Sequence, residues 1–313
     1  MPKPHLYLLA ALLAALGISH FSDRIDPYHL DVLTGIGINI ILAVSLNLVN
    51  GYTGQFSLGH AGFMSVGAYL AAAVSLFLGP KLLGAEGGTA LQQGFMFLAA
   101  LVAGGLGAAF AGLVVGVPSL RLKGDYLALV TLGFGEIIRV IFQNVEFLGG
   151  ALGLNGIPAY TTIFWVLAFV ALSVFVVTCL VNSTYGRGFL ATHDDEIASE
   201  AVGLNTTHYK IVAFVIGAFF AGTAGGLYGH FKMTITPTGF DFTKSVEIVV
   251  MVIMGGMGNT LGVILAAVLL TLLPELLRPI AEYRMIIYSL LLIILMLVRP
   301  QGLFNFKFGK VKS

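Results

Sequence analysis

Runs of about 20 apolar residues, the length of helix that crosses a bilayer core of about 30 Å, recur along this chain of 313 residues. A backbone in hydrocarbon must satisfy every N–H and C=O internally, so only helices and closed barrels can span it. Barrel strands alternate apolar and polar residues, whereas Ile163 to Val181 and Leu261 to Leu273 are apolar almost all round. The sequence therefore predicts an all-α, polytopic integral membrane helical bundle, one transmembrane domain over 1–313. Composition agrees: 58% of residues are hydrophobic and 10% charged, against about 45–50% and about 25% in soluble domains. So few charges cannot coat a water-soluble fold, which excludes a soluble enzyme. Sixteen Lys and Arg against fifteen Asp and Glu leave a net charge of +1, which excludes nucleic acid as a partner. The lone Cys179 supports neither a disulfide framework nor a multi-cysteine metal site.

The expected spans are Leu6 to Gly17, Leu30 to Val49, Leu58 to Leu78, Gly94 to Val117, Tyr126 to Phe142, Thr161 to Asn182, Lys210 to Phe231, Val246 to Met257, Leu261 to Leu277 and Met285 to Val298. The first and eighth are short, and the eighth can re-enter without spanning, so the count is eight to ten. Met1 to Ser19 resembles a secretory signal, but no small-x-small cleavage site follows, and a retained first helix is expected.

Orientation follows from cations in short connections. Arg121 and Lys123, then Arg187, His208 and Lys210, then Arg299, Lys307, Lys310 and Lys312 are expected inside with Lys3; Asp23, Asp26, Glu86, Glu146 and Asp241 are expected outside. Both termini are thus expected to be cytoplasmic.

Glycine is abundant, 40 of 313 residues. Gly104, Gly105, Gly107, Gly112 and Gly116, and Gly217, Gly222, Gly225 and Gly226, read as close helix-packing positions. Elsewhere glycine accompanies polar residues and breaks the apolar pattern. From Asn47 to Gly62 the chain reads NLVNGYTGQFSLGHAG, placing Asn47, Asn50, Gln55, Ser57 and His60 at or near membrane depth. Irregular polar chain there is buried in protein or lines a watery cavity, so the segment is either an interfacial turn or part of a translocation path. A second break, Gly255 to Gly262, divides a long apolar stretch into a bend or a half-helix pair. A third, Gly149 to Pro158, reads as an external loop or re-entrant segment.

Glu136 and Arg139 stand three apart within the fifth span and share a helix face, which predicts an intramembrane ion pair facing the bundle interior. The longest polar segment, about 183–208, carries Asp194, Asp195 and Glu196 where a helix N-terminus favours acids. Ile197, Ala198, Ala201 and Val202 follow as a small apolar face, and Gly203 ends the turn. The pattern predicts a short surface helix suited to a groove on a partner protein. No G-x-x-x-x-G-K-[ST] run is present, so the chain has no nucleotide-binding P-loop of its own. Nor do the spans hold the dense Asp, Glu and His sets of proton relays, or a TVGYG-like filter.

Three segments carry a resemblance: NLVNGYTGQFSLGHAGF from Asn47, GDYLALVTLGFGEIIR from Gly124 and DDEIASEAVGLN from Asp194. They resemble the LivM-type permeases of ABC importers for branched-chain amino acids. The third is similar to the EAA loop of ABC importers, with Glu200, Ala201 and Gly203 on the motif's glutamate, alanine and glycine, and Val202 departing from its second alanine. The resemblance implies an inner-membrane, multi-pass permease subunit that is not itself an enzyme. Its 183–208 loop would couple to two ATPase subunits that bind the ATP, and the chain would need no cofactor. A second, LivH-type permease and an external solute-binding protein complete the implied assembly, and the small-molecule cargo is Leu, Ile or Val. Similar permeases carry urea, amides or other amino acids. From the residues alone, an ATP-independent channel or secondary carrier stays open, and an integral-membrane enzyme ranks last because the seven histidines are scattered.

Overall fold

The computed structural model describes residues 4–21, 24–83, 88–120, 122, 124–278 and the isolated positions 283, 286, 289, 290, 293, 302 and 303. Apart from those isolated positions, the expected tenth span lies outside the described residues. So do Lys3, Asp23, Glu86, Arg121, Lys123, Arg299, Lys307, Lys310 and Lys312.

The helices are α1 (Pro4–His20), α2 (Pro27–Asn47), α3 (His60–Ala73), α4 (Gly79–Leu83), α5 (Ala90–Ser119), α6 (Asp125–Asn144), α7 (Ile163–Val181), α8 (Thr184–Asp194), α9 (Glu196–Ala201), α10 (Thr206–Lys232), α11 (Phe242–Gly255) and α12 (Thr260–Leu276). Wider π-turns extend α2 through Leu48–Tyr52 and α3 through Val74–Leu78. Among the described residues six helices are long and apolar enough to cross a membrane, and α12 is a shorter apolar helix. Local chemistry starts them as expected. Asp26 caps α2 by accepting from the Tyr28 amide at 2.8 Å, with Pro27 at the first position. Thr89 and Gln92 form a capping box on α5.

At the centre, α10 packs against α3 and α5, and the glycines flagged in α5 and α10 explain how. A Cβ on Gly67 of α3 would overlap the backbone of Gly222 on α10, and one on Gly104 of α5 would come within 2.6 Å of the Gly67 carbonyl oxygen. Lipid supplies no hydrophobic drive between helices, so close backbone approach and dispersion hold this contact. Phe97, Leu101, Ala221, Ala224 and Leu227 fill the space around it and are fully buried.

The ends of the bundle differ. At one end lie α8 and α9, the 53–59 segment and the Gly255 to Gly262 turn. At the other, the third break forms two 3-10 turns and a strand, β1 (Leu154–Asn155), which pairs antiparallel with β2 (Thr234–Ile235). That loop is tied to the far end of α10, where the Ile157 amide donates to the Met233 carbonyl at 3.1 Å, and its Leu154 and Ile157 are buried against the core. The eighth expected span is α11, 14 residues long, about 21 Å at 1.5 Å per residue and short of a full crossing. With α12 it makes a helical hairpin against α2.

One expectation needs correction. Residues 184–194, read as part of one loop, form the helix α8, so Asp194 is that helix's last residue and not part of the N-terminus of α9. Two internal glycines weaken its helical signal. Packing forms it instead, through the fully buried Phe189 and through Gly188, which lies against the Tyr209 ring. The Glu136–Arg139 pair is partly buried on α6, its side chains 35% and 25% exposed, and Glu136 lines a small pocket with Leu58, Gly62 and Ser245.

Candidate functional site

The short helix α9 is built to stand still while showing its apolar side. Asp195 caps it, accepting from the Ala198 amide at 3.0 Å. Glu196 pairs with Lys210 of α10 at 2.7 Å, the Ser199 hydroxyl donates to the Ala191 carbonyl at 2.9 Å, and the Thr206 hydroxyl donates to Glu200 at 2.7 Å. These polar contacts hold α9 to α8 and α10. The other side carries Ile197 and Val202, 75% and 78% exposed, flanked by exposed Ala198 and Ala201. This polarity is the reverse of an ordinary surface helix, which turns its apolar stripe inward. Gly203 closes the element at φ +88°, a left-handed residue whose amide bonds to the Glu200 carbonyl at 2.9 Å, while the Leu204 amide reaches Ser199 at 3.0 Å.

The first break brings all five of its flagged residues together. Asn47, Asn50, Gln55, Ser57 and His60 are each no more than 3% exposed. His60, the first residue of α3, bonds to the Ser45 hydroxyl of α2 at 2.8 Å. The Ser57 amide donates to Asn50 Oδ1 at 3.2 Å, and the Gln55 amide turns back to the Val49 carbonyl at 3.1 Å. The Leu58 amide finds the Thr131 hydroxyl of α6 at 3.0 Å, and the Ala61 amide the Ser245 hydroxyl of α11 at 3.3 Å. The break is thus irregular chain wrapped in protein, as a low-dielectric setting requires. Within this segment, among the described residues, Asn47 Nδ2 and Gln55 Oε1 are buried without a hydrogen-bond partner.

The second break closes onto the first. The Gly258 amide donates to Asn47 Oδ1 at 2.9 Å, and the Tyr52 and Thr260 hydroxyls bond at 2.8 Å. The 53–56 loop also reaches α8. A Cβ on Gly54 would come within 2.8 Å of the His193 ring, and Gln55, Thr192, Asp194 and Glu196 line a shared cleft of about 180 Å³. Both breaks and the α8–α9 unit therefore form one contiguous region. Glu136 and Arg139 are paired, Arg139 Nε donating to Glu136 Oε2 at 2.7 Å, and Glu136 lines a small pocket with Leu58 and Gly62 at the end of the first break.

One polar feature went unread in the sequence. At the end opposite α9, a cleft of about 170 Å³ opens among α2, α10, α11 and α12, with Asp31, Asn39, Lys232, Lys244, Thr271 and Glu275 on its walls. Lys244 bonds to Glu247 at 2.9 Å and to Asn39 Oδ1 at 3.2 Å, and Asn39 Nδ2 donates to Thr271 at 2.9 Å. The signal was the Lys244–Glu247 spacing of three, the same that singled out Glu136 and Arg139.

Residues 28–298 match the family described as branched-chain amino acid transport system / permease component. The chain belongs to that family. It is 36% identical to the proteins of Salmonella typhimurium and Escherichia coli named high-affinity branched-chain amino acid transport system permease protein LivM, over 96% of this chain and 75% of each relative. It is also 22% identical to the Escherichia coli permease protein LivH, over 84% of this chain and 90% of that one. No solved structure matches it. The chain is accordingly a multi-pass membrane permease and not an enzyme. The two permeases named for the same transport system in Escherichia coli are both related to it.

Proposed function

We propose that this chain is a translocating subunit of a cytoplasmic-membrane ABC importer for branched-chain amino acids, paired with a related LivH-type permease and driven by two ATPase subunits that bind the ATP. An external solute-binding protein delivers the cargo, and the chain itself needs no cofactor. The observation that carries this reading is α9, whose polar side is bonded inward and whose apolar side is left exposed. Asp194, Asp195, Glu196, Glu200, Ala201 and Gly203 belong to the coupling segment 183–208, which docks in a groove of an ATPase. Movement of α9 passes through α8 and His193 to the 53–56 loop, and from there to the break at Asn47, Asn50, Ser57 and His60. We assign that break to the moving part of the translocation path. Glu136 and Arg139 serve as a structural pair. The α8–α9 end is cytoplasmic, as are both termini.

The test is affinity purification of the tagged chain in mild detergent, followed by identification of the bound subunits and by uptake of leucine, isoleucine and valine into vesicles. Two ATPases, a second permease and ATP-dependent leucine uptake are expected. Transport by this chain without an ATPase would overturn the reading in favour of a channel or secondary carrier, and uptake of urea or amides alone would reassign the cargo.

A further inference from the structure

The cleft opposite α9 has two kinds of wall. One is a line of polar groups on three helices: Lys244 of α11, Asn39 of α2, then Thr271 and Glu275 of α12, one helical turn apart. Asp31, paired with Lys232 at 3.4 Å, continues it. The other wall is apolar, made by Val32, Ile38, Met64 and Phe231. A charge at this depth of a membrane protein is costly and belongs by default to a site or to a partner. Lys244 has a partner in Glu247, yet its side chain stays 22% exposed and its ammonium lies on the cleft wall.

We propose that this cleft binds the cargo as a zwitterionic amino acid with an aliphatic side chain. Lys244, supported by Asn39 and Thr271, takes the α-carboxylate. Asp31 and Glu275 take the α-ammonium, and the hydrocarbon side chain lies on Val32, Ile38, Met64 and Phe231. A zwitterion suits these walls better than an ion of one sign, because each of its charges meets an opposite one and little net charge enters the low-dielectric region. The proposal rests on the importer reading and adds to it the place and chemistry of recognition within this chain.

A single cysteine gives the readout. Gly35 lines the cleft and a Cβ there meets nothing within 4 Å, so Gly35→Cys in a Cys179→Ser background is a tolerated reporter. In the complex purified with its partner subunits, the rate of N-ethylmaleimide labelling at position 35 is measured with leucine, with 3-methylbutylamine, which lacks the carboxylate, and with 4-methylpentanoate, which lacks the ammonium. Leucine is expected to protect, and each analogue to need about tenfold or more higher concentration, the scale of one lost charge-assisted hydrogen bond. Lys244→Gln should abolish protection and Lys244→Arg should retain it. Where Lys244→Gln alone does not assemble, the double variant Lys244→Gln with Glu247→Gln removes both charges and carries the same expectation. Labelling unaffected by leucine, in a complex that still imports leucine, overturns the cleft assignment and leaves the importer reading intact. Absence of leucine uptake together with absence of protection overturns both.

Discussion

The Gly258 amide donates a 2.9 Å hydrogen bond to the side-chain oxygen of Asn47, 211 positions earlier in the chain. Asn47 is the last residue of α2 and fully buried, and Gly258 sits in the turn between α11 and α12. One side chain thus fixes the tip of the helical hairpin against the end of a spanning helix. Asn47→Ala is expected to leave the Gly258 amide without a partner and to lower stability by about 1–3 kcal/mol. Thermal unfolding in detergent measures it, and an unchanged midpoint would argue that the hairpin tip is held by other contacts.

The crossing of α3, α5 and α10 predicts a harsher outcome. Gly222 faces Gly67 on one side, and an added Cβ would come within 2.8 Å of the Gly104 carbonyl oxygen on the other. Gly222→Val has no flexible side chain to displace and should cost upwards of about 3 kcal/mol, more than typical overpacking, because backbones must separate. Gly133→Ala on α6, where a Cβ meets nothing within 4 Å, is the matched control and should be silent. Size-exclusion profiles of the two variants in detergent make the comparison.

Much of this architecture is legible in the sequence, and the reasons are specific. Long apolar helices announce themselves because lipid tolerates almost nothing else, and the breaks at Asn47 to Gly62 and Gly255 to Gly262 stand out because lipid cannot solvate them. That the two breaks touch is not legible, since the Asn47–Gly258 bond is a tertiary contact with no local trace. The helix α8 was missed because Gly186 and Gly188 weaken its intrinsic signal and tertiary packing overrides it. The charged cleft was missed for another reason: Asp31, Lys244 and Glu275 each read as an ordinary charge near a helix end, and only the fold gathers them around one space.

For Glu136 and Arg139, removing one partner strands the other charge. Arg139→Ala is expected to destabilise by about 1–3 kcal/mol, less than a fully buried pair, because the Glu136 and Arg139 side chains are 35% and 25% exposed. Adding Glu136→Ala should recover most of that loss. Equal unfolding midpoints for the single and double variants would show that the pair contributes nothing and would make both residues candidates for the translocation path instead.

Orientation is tested by single cysteines in a Cys179-free background. Position 195, the cap of α9, should react with an impermeant maleimide only after the membrane is opened, and position 241, the cap of α11, should react in intact cells. Labelling of position 195 from outside would invert the assignment of the two ends and place α9 where no ATPase could reach it.

Coupling is where α9 is most exposed to test, because its two sides predict different failures. Ile197 and Val202 project into solvent, so Ile197→Asp should leave expression, monodispersity and thermal stability within about 0.5 kcal/mol of the parent, as for a surface change. It should also sharply reduce ATPase retention and leucine uptake, since an acid would enter an apolar groove. Gly203→Val acts on conformation: space is available, but φ +88° is costly for a β-branched residue, by about 1–3 kcal/mol. The strain falls on a six-residue helix outside the spans, so the bundle should stay folded while α9 loses its closing turn. Glu200→Lys removes the acceptor of the Thr206 hydroxyl and reverses a charge on the exposed rim. It should weaken docking without altering the helices around Gly67 and Gly222. Normal leucine uptake and full ATPase retention in all three variants would reduce α9 to a connector and leave the ATP-driven reading without structural support in this chain.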